Sequence, residues 1–125
     1  MDEAELKRCT KVFGLRVFKL VEALPGNLQG RAIGNQLVRS GTSVGANYRA
    51  ACRARSRAEF IARLGVVEEE ADESAYWMEM IIEAELIKSS LVKPLLAEAN
   101  EIVAIITSSR ISAAKRPIKI QKSKI

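Results

Sequence analysis

An all-α fold, an up-down-up-down antiparallel four-helix bundle with a disordered basic C-terminal tail, is what this sequence predicts. Three observations point to it. Apolar residues recur at three- and four-residue steps through four stretches. Short breaks built from Pro, Gly and Ser separate those stretches. Ala, Leu, Ile, Glu and Arg dominate while aromatics make up 5%, a balance that favours helix formers over strand formers. At 125 residues there is room for one domain around one core. We assign residues 1–114 to the bundle and 115–125 to the tail.

In the first stretch, Leu6, Cys9, Val12, Phe13, Val17, Leu20, Val21 and Leu24 mark one helical face over residues 4–24. Pro25-Gly26-Asn27 ends it, because proline disfavours helix at the residue before it and glycine supplies the turn. A second helix starts within residues 29–32 and runs to about residue 54. Its stripe is Ile33, Leu37, Val44, Tyr48, Ala51 and Cys52. Its middle, Ser40-Gly41-Thr42-Ser43 followed by Gly45, contains weak helix formers, and a loop is the competing reading. The apolar register survives across it, so the expectation is a continuous or kinked helix. Gly41 and Gly45 would then permit close helix approach or a bend.

Ser56-Arg57-Ala58-Glu59 has the form of a capping box, in which serine accepts an early backbone N–H and glutamate reaches back to the serine amide. The third helix follows to about residue 87. Its stripe is Ile61, Leu64, Ala71, Ala75, Met78 and Ile82, with Phe60, Val67, Trp77 and Ile81 beside it. After the break at Lys88-Ser89-Ser90, a fourth helix starts within residues 91–94, where Pro94 is tolerated in a first turn. Leu95, Ala99, Ile102, Ile105, Ile106 and Ile111 carry it to about residue 114. The tail beyond, KRPIKIQKSKI, is densely charged and expected to be disordered.

Composition also excludes chemistry. Histidine is absent and Cys9 and Cys52 lie far apart, which removes CxxC and Cys/His metal sites. The cysteines read as small buried hydrophobes in a reducing compartment, with a structural disulfide as the alternative. No apolar run approaches the ~20 residues needed to span a bilayer. The acidic, amphipathic start MDEAELKRC does not resemble a secretory leader. A cytoplasmic protein without membrane attachment is therefore expected. Nucleophile–base, metal and phosphate-loop constellations are all missing, so no enzyme, catalytic residue, metal or cofactor is expected.

The net charge of +5 is unevenly spread. All fifteen acids lie at or before Glu101, whereas Lys115, Arg116, Lys119, Lys122 and Lys124 follow it. From Arg31 to Arg63 there are seven arginines and one acid, Glu59; from Glu68 to Glu85 there are eight acids and no base. Such blocks face each other, face another subunit, or create a field on one surface. Arg49, Arg53, Arg55, Arg57 and Arg63, with the five tail bases, are the candidates for binding nucleic-acid phosphates without sequence preference. Pairing of the arginines with the acidic block, and a merely solubilising tail, remain equally open.

Arg39, Ser40, Ser43 and Asn47 share one side of the second helix, as Glu70 and Glu73 share one side of the third. A hairpin turning near residue 55 brings residue 39 opposite about residue 71. That favours a buried polar network of Arg39, Ser43, Asn47, Glu70 and Glu73 that sets helix register. A carboxylate dyad for acid–base work or metal binding is the alternative, disfavoured by the nearby arginine and the lack of histidine. Tyr48, Tyr76 and Trp77 could stack on bases. Their place inside helices instead favours core packing or a subunit interface, with Trp77 as the anchor.

Three segments carry a resemblance: R-S-G-T-S-V-G-A-N-Y-R at 39–49, S-x-x-E-F-I at 56–61 and E-A-x-E-S-x-Y-W at 70–77. Together they closely resemble the four-helix-bundle proteins encoded by intervening sequences of bacterial 23S rRNA genes. The first and fourth helices agree mainly in length and pattern. The resemblance implies a homopentameric ring and no known enzymatic activity. The chain is more remotely similar to the accessory variability determinant protein of diversity-generating retroelements, which implies a basic barrel binding nucleic acid and a reverse-transcriptase-like partner. The chain departs from the family at two positions: Ala50 stands where the family commonly has Glu, and Glu69 where it often has Lys, the latter weighing against a positive patch on the third helix. The resulting expectation is a non-catalytic homo-oligomer, a pentamer, that binds RNA or DNA as an accessory or scaffold. A protein–protein scaffold with no nucleic-acid role is the alternative.

Overall fold

The computed structural model describes residues 1–115. The helices are α1 (Glu3–Glu22), α2 (Leu28–Cys52), α3 (Arg57–Glu83) and α4 (Ser89–Lys115), and there is no strand among the described residues. Each helix packs against the next in sequence, α1 on α2, α2 on α3 and α3 on α4, while α1 meets α4 much more sparsely. The result is an up-down-up-down bundle with one loosely closed seam. No helix among the described residues is long and apolar enough to cross a membrane. Of the tail expected at residues 115–125, residues 116–125, with Arg116, Lys119, Lys122 and Lys124, lie outside the described residues. Lys115 itself belongs to α4.

The core follows the apolar stripes. Phe13, Val17, Leu37, Val44, Leu64, Val67, Met78, Ile81, Val92 and Ile106 are fully enclosed. Fully burying a side chain of this kind contributes about 1.5–3 kcal/mol. Val12 and Ile111, expected on these stripes, are exposed instead, with Phe13 rather than Val12 facing the centre of the bundle. Cys9 and Cys52 are half-buried free thiols.

Helix α2 is continuous through its glycines, and packing explains why. A Cβ at Gly41 would lie 2.7 Å from Val17 Cγ2, and one at Gly45 would lie 3.2 Å from the Thr10 backbone. The glycines therefore let α2 approach α1 closely. No loop interrupts the segment.

Helix ends differ from the expected bounds for identifiable reasons. Asp2 and Glu5 form a reciprocal capping box that starts α1 at Glu3. Asn27 caps α2 through the Gly30 amide at 2.8 Å. Ser56 accepts from the Glu59 amide at 3.1 Å, but the Glu59 carboxylate reaches the Arg55 amide at 3.0 Å rather than that of Ser56. Helix α3 stops at Glu83, short of residue 87, because Glu85 turns left-handed at φ 54°. The Leu86 amide then donates to the Ile81 carbonyl and the Glu85 amide to that of Ile82, a Schellman ending normally built on glycine. Because α4 begins at Ser89, Pro94 falls in its second turn rather than its first.

Candidate nucleic-acid interface

One end of the bundle gathers the α2–α3 turn, the N-terminus of α1 and the C-terminus of α4, as the alternating directions require. Arg49 and Arg53 close α2, Arg55 sits in the turn, and Arg57 and Arg63 lie on the first two turns of α3. Arg49, Arg53, Arg55 and Arg63 are exposed and make no ion pair among the described residues; Arg57 is half-buried. Arg110 on α4 bonds Glu68 on α3 at 2.8 Å, so following that antiparallel register brings Lys115 level with about Arg63. The last described residue thus stands at the arginine-rich end.

The acidic block of α3 finds its partners elsewhere. Arg39 donates to Glu70 at 3.2 Å and to Glu73 at 2.5 Å, bridging α2 and α3. Trp77 Nε1 donates to the same Glu73 oxygen at 3.0 Å. The Arg39 guanidinium and then the indole hold the Glu73 carboxyl below the usual range. Glu68 is lowered in the same sense, chiefly by its hydrogen bond from Arg110. The other Glu70 oxygen, Oε1, is buried without a hydrogen-bond partner among the described residues. Arg16 on α1 bonds Glu98 on α4 across the loose seam.

Of the expected network, Arg39, Glu70 and Glu73 come together, but Ser43 and Asn47 do not join them. The Asn47 amide donates to the Ser43 carbonyl of its own helix at 2.9 Å, a local bond that draws it away from α3. The buried link is instead Ser40–Ser74, hydroxyl to hydroxyl at 2.8 Å, with both residues fully enclosed. Ser74 donates to the Glu70 carbonyl at 2.9 Å, so its oxygen is left to accept from Ser40. Ser74 was legible only as the serine in the segment at 70–77, one turn after Glu70. The Arg110–Glu68 and Arg16–Glu98 pairs carried no local signal, since their partners lie on different helices.

The aromatic residues divide. Tyr48 is 6% exposed, packed in the core of the single chain, and so offers no ring face to a second subunit. Burial and then contact with the Cys52 thiol push its phenol upward, and burial also raises the Cys52 thiol. Tyr76 and half-buried Trp77 sit edge to face at the surface of α3, with ring centroids 5.0 Å apart.

Fold and surface define a class: an antiparallel all-α bundle protein with exposed arginines gathered around its α2–α3 turn. The family model for the 23S rRNA-intervening sequence protein matches residues 3–108, and the chain belongs to that family. Among solved structures it is similar to a protein of unknown function from the S23 ribosomal protein family of Bacteroides thetaiotaomicron. The two are 33% identical, the match covers 88% of this chain and 98% of that one, and the TM-score is 0.81. No curated protein matches the chain.

Proposed function

We propose that the chain is a subunit of a homo-oligomeric, pentameric assembly that binds RNA or DNA electrostatically in the cytoplasm, as an accessory or scaffold rather than an enzyme. One observation carries this reading. Arg49, Arg53, Arg55 and Arg63 are exposed at one end without ion pairs among the described residues, while Arg39 and Arg110 serve the acidic block. Lys115, at the threshold of the basic tail sequence, reaches the same end. Repeated around a ring, this end becomes a belt of guanidinium groups suited to phosphate backbones.

Titration of labelled RNA and duplex DNA at rising salt tests the proposal. Affinity should fall linearly on a log–log plot, and Arg53→Glu with Arg55→Glu should weaken binding and flatten the slope. Binding that is absent at low salt, or indifferent to salt, removes the nucleic-acid role. A protein–protein scaffold with no nucleic-acid role would then be the better reading.

A further inference from the structure

Two exposed faces on opposite parts of the bundle complement each other in charge and in apolar content. Between α1 and α2 lies an open groove of about 560 Å³. Leu15 and Phe18 line it at 54% and 43% exposure, and Arg8, Lys11, Lys7 and Arg49 rim it. Lys7 is held by Glu3 at 3.1 Å, but Arg8, Lys11 and Arg49 have no ion pair among the described residues. On α3, Tyr76 and Met80 stand 51% and 38% exposed. Exposed Glu69, Asp72, Glu79 and Glu83 share their stripe at three- and four-residue steps. That stripe points away from the sides of α3 occupied by α2, through Arg39, and by α4, through Arg110. Groove and stripe therefore cannot meet within one chain.

We infer that the α3 stripe of one subunit docks in the α1–α2 groove of the next copy, a head-to-tail contact. This rests on the homo-oligomeric part of the reading above and names its joint. Different faces mating in this way generate a ring when the rotation closes, whereas a self-complementary patch would stop at a dimer. The axial register agrees. Gly45 lies against Thr10 on the α1 side of α2, and Ser40 bonds Ser74 on the α3 side. Lys11 is thereby level with Glu69, and Phe18 with Tyr76, within about one turn. Rotation about an axis parallel to the helices, without a shift along it, sets base against acid and ring against ring. The basic tail sequence is an unsuitable occupant, because its charge has the same sign as the groove's rim.

Light scattering on two variants tests the joint, with circular dichroism to verify the fold. One carries Leu15→Glu and Phe18→Glu in the groove; the other carries Tyr76→Glu and Met80→Glu on the stripe. All four positions are exposed in the single chain, so helicity should be retained. The unaltered protein should scatter as an assembly larger than a dimer, and each variant as the 13.8 kDa monomer. An equimolar mixture should reach twice the monomer mass and stop, since the intact stripe of one variant fills the intact groove of the other. Variants that remain assembled would overturn this joint while leaving the homo-oligomer standing. Mixtures that stay monomeric or re-form the full ring would overturn the head-to-tail pairing. A monomeric unaltered protein would overturn both the joint and the homo-oligomer.

Discussion

At the seam between α2 and α3, two serines do what apolar side chains do elsewhere in the bundle. Ser74→Ala removes the Ser40–Ser74 bond and leaves the Ser40 hydroxyl only the Leu37 carbonyl, 3.4 Å away. We expect a loss of about 1 kcal/mol, with the Ser40→Ala/Ser74→Ala pair costing less than the sum of its parts. Urea unfolding of the four-member mutant cycle reads the coupling directly. Glu73 gives a second expectation. Its carboxyl titrates lower when folded than when unfolded, so its contribution is fully present above the ordinary glutamate range near ~4.3. That contribution is lost as pH falls through the depressed folded value. Urea midpoints should therefore drop between pH 6 and pH 3, and Arg39→Ala should shrink the part of that drop due to Glu73. Spacing alone placed Arg39 opposite Glu70 and Glu73. It could not show that Asn47 would satisfy a carbonyl four residues back, because side-chain bonds within a helix leave no trace in apolar periodicity.

Glycines separate the elements' two demands, propensity and packing. Gly65 in α3 has nothing within 4 Å of where a Cβ would sit, so Gly65→Ala should stabilise the protein by about 0.8–1 kcal/mol, the intrinsic helical preference. Gly41→Ala gains the same preference but drives a methyl to 2.7 Å from fully buried Val17. Overpacking costs about 1–3 kcal/mol, so the net result should be destabilising. Thermal melts of the two variants should move in opposite directions. Element number, order and most stripe residues were legible because a 3.6-residue period is written along each helix. Ends were less so. A left-handed residue usually announces itself as glycine, and at the end of α3 that position holds Glu85. Pro94 misled in the other direction, since a proline marks a first turn only when no earlier residue joins the helix.

For the molecule as a whole, charge blocks visible in the sequence became a distribution in space only once the helices were folded against one another. The seven-arginine block turned out to divide, with Arg39 committed to α3 and Arg49, Arg53, Arg55 and Arg63 exposed at one end. The Arg8 and Lys11 rim was missed for the opposite reason: these residues sit in an unremarkable mixed-charge helix and gain meaning from Leu15 and Phe18 beside them. The sparse seam between α1 and α4 has a kinetic consequence. Every strong contact joins consecutive helices, so each new stroke of this zigzag can settle on the one just completed. The sparse α1–α4 contacts, the Arg16–Glu98 pair among them, wait for the last segment. Low sequence separation of this kind belongs to chains that fold in microseconds to milliseconds. Stopped-flow refolding should therefore be nearly complete within the dead time, and a chain still emerging from the ribosome can gain order a helix at a time.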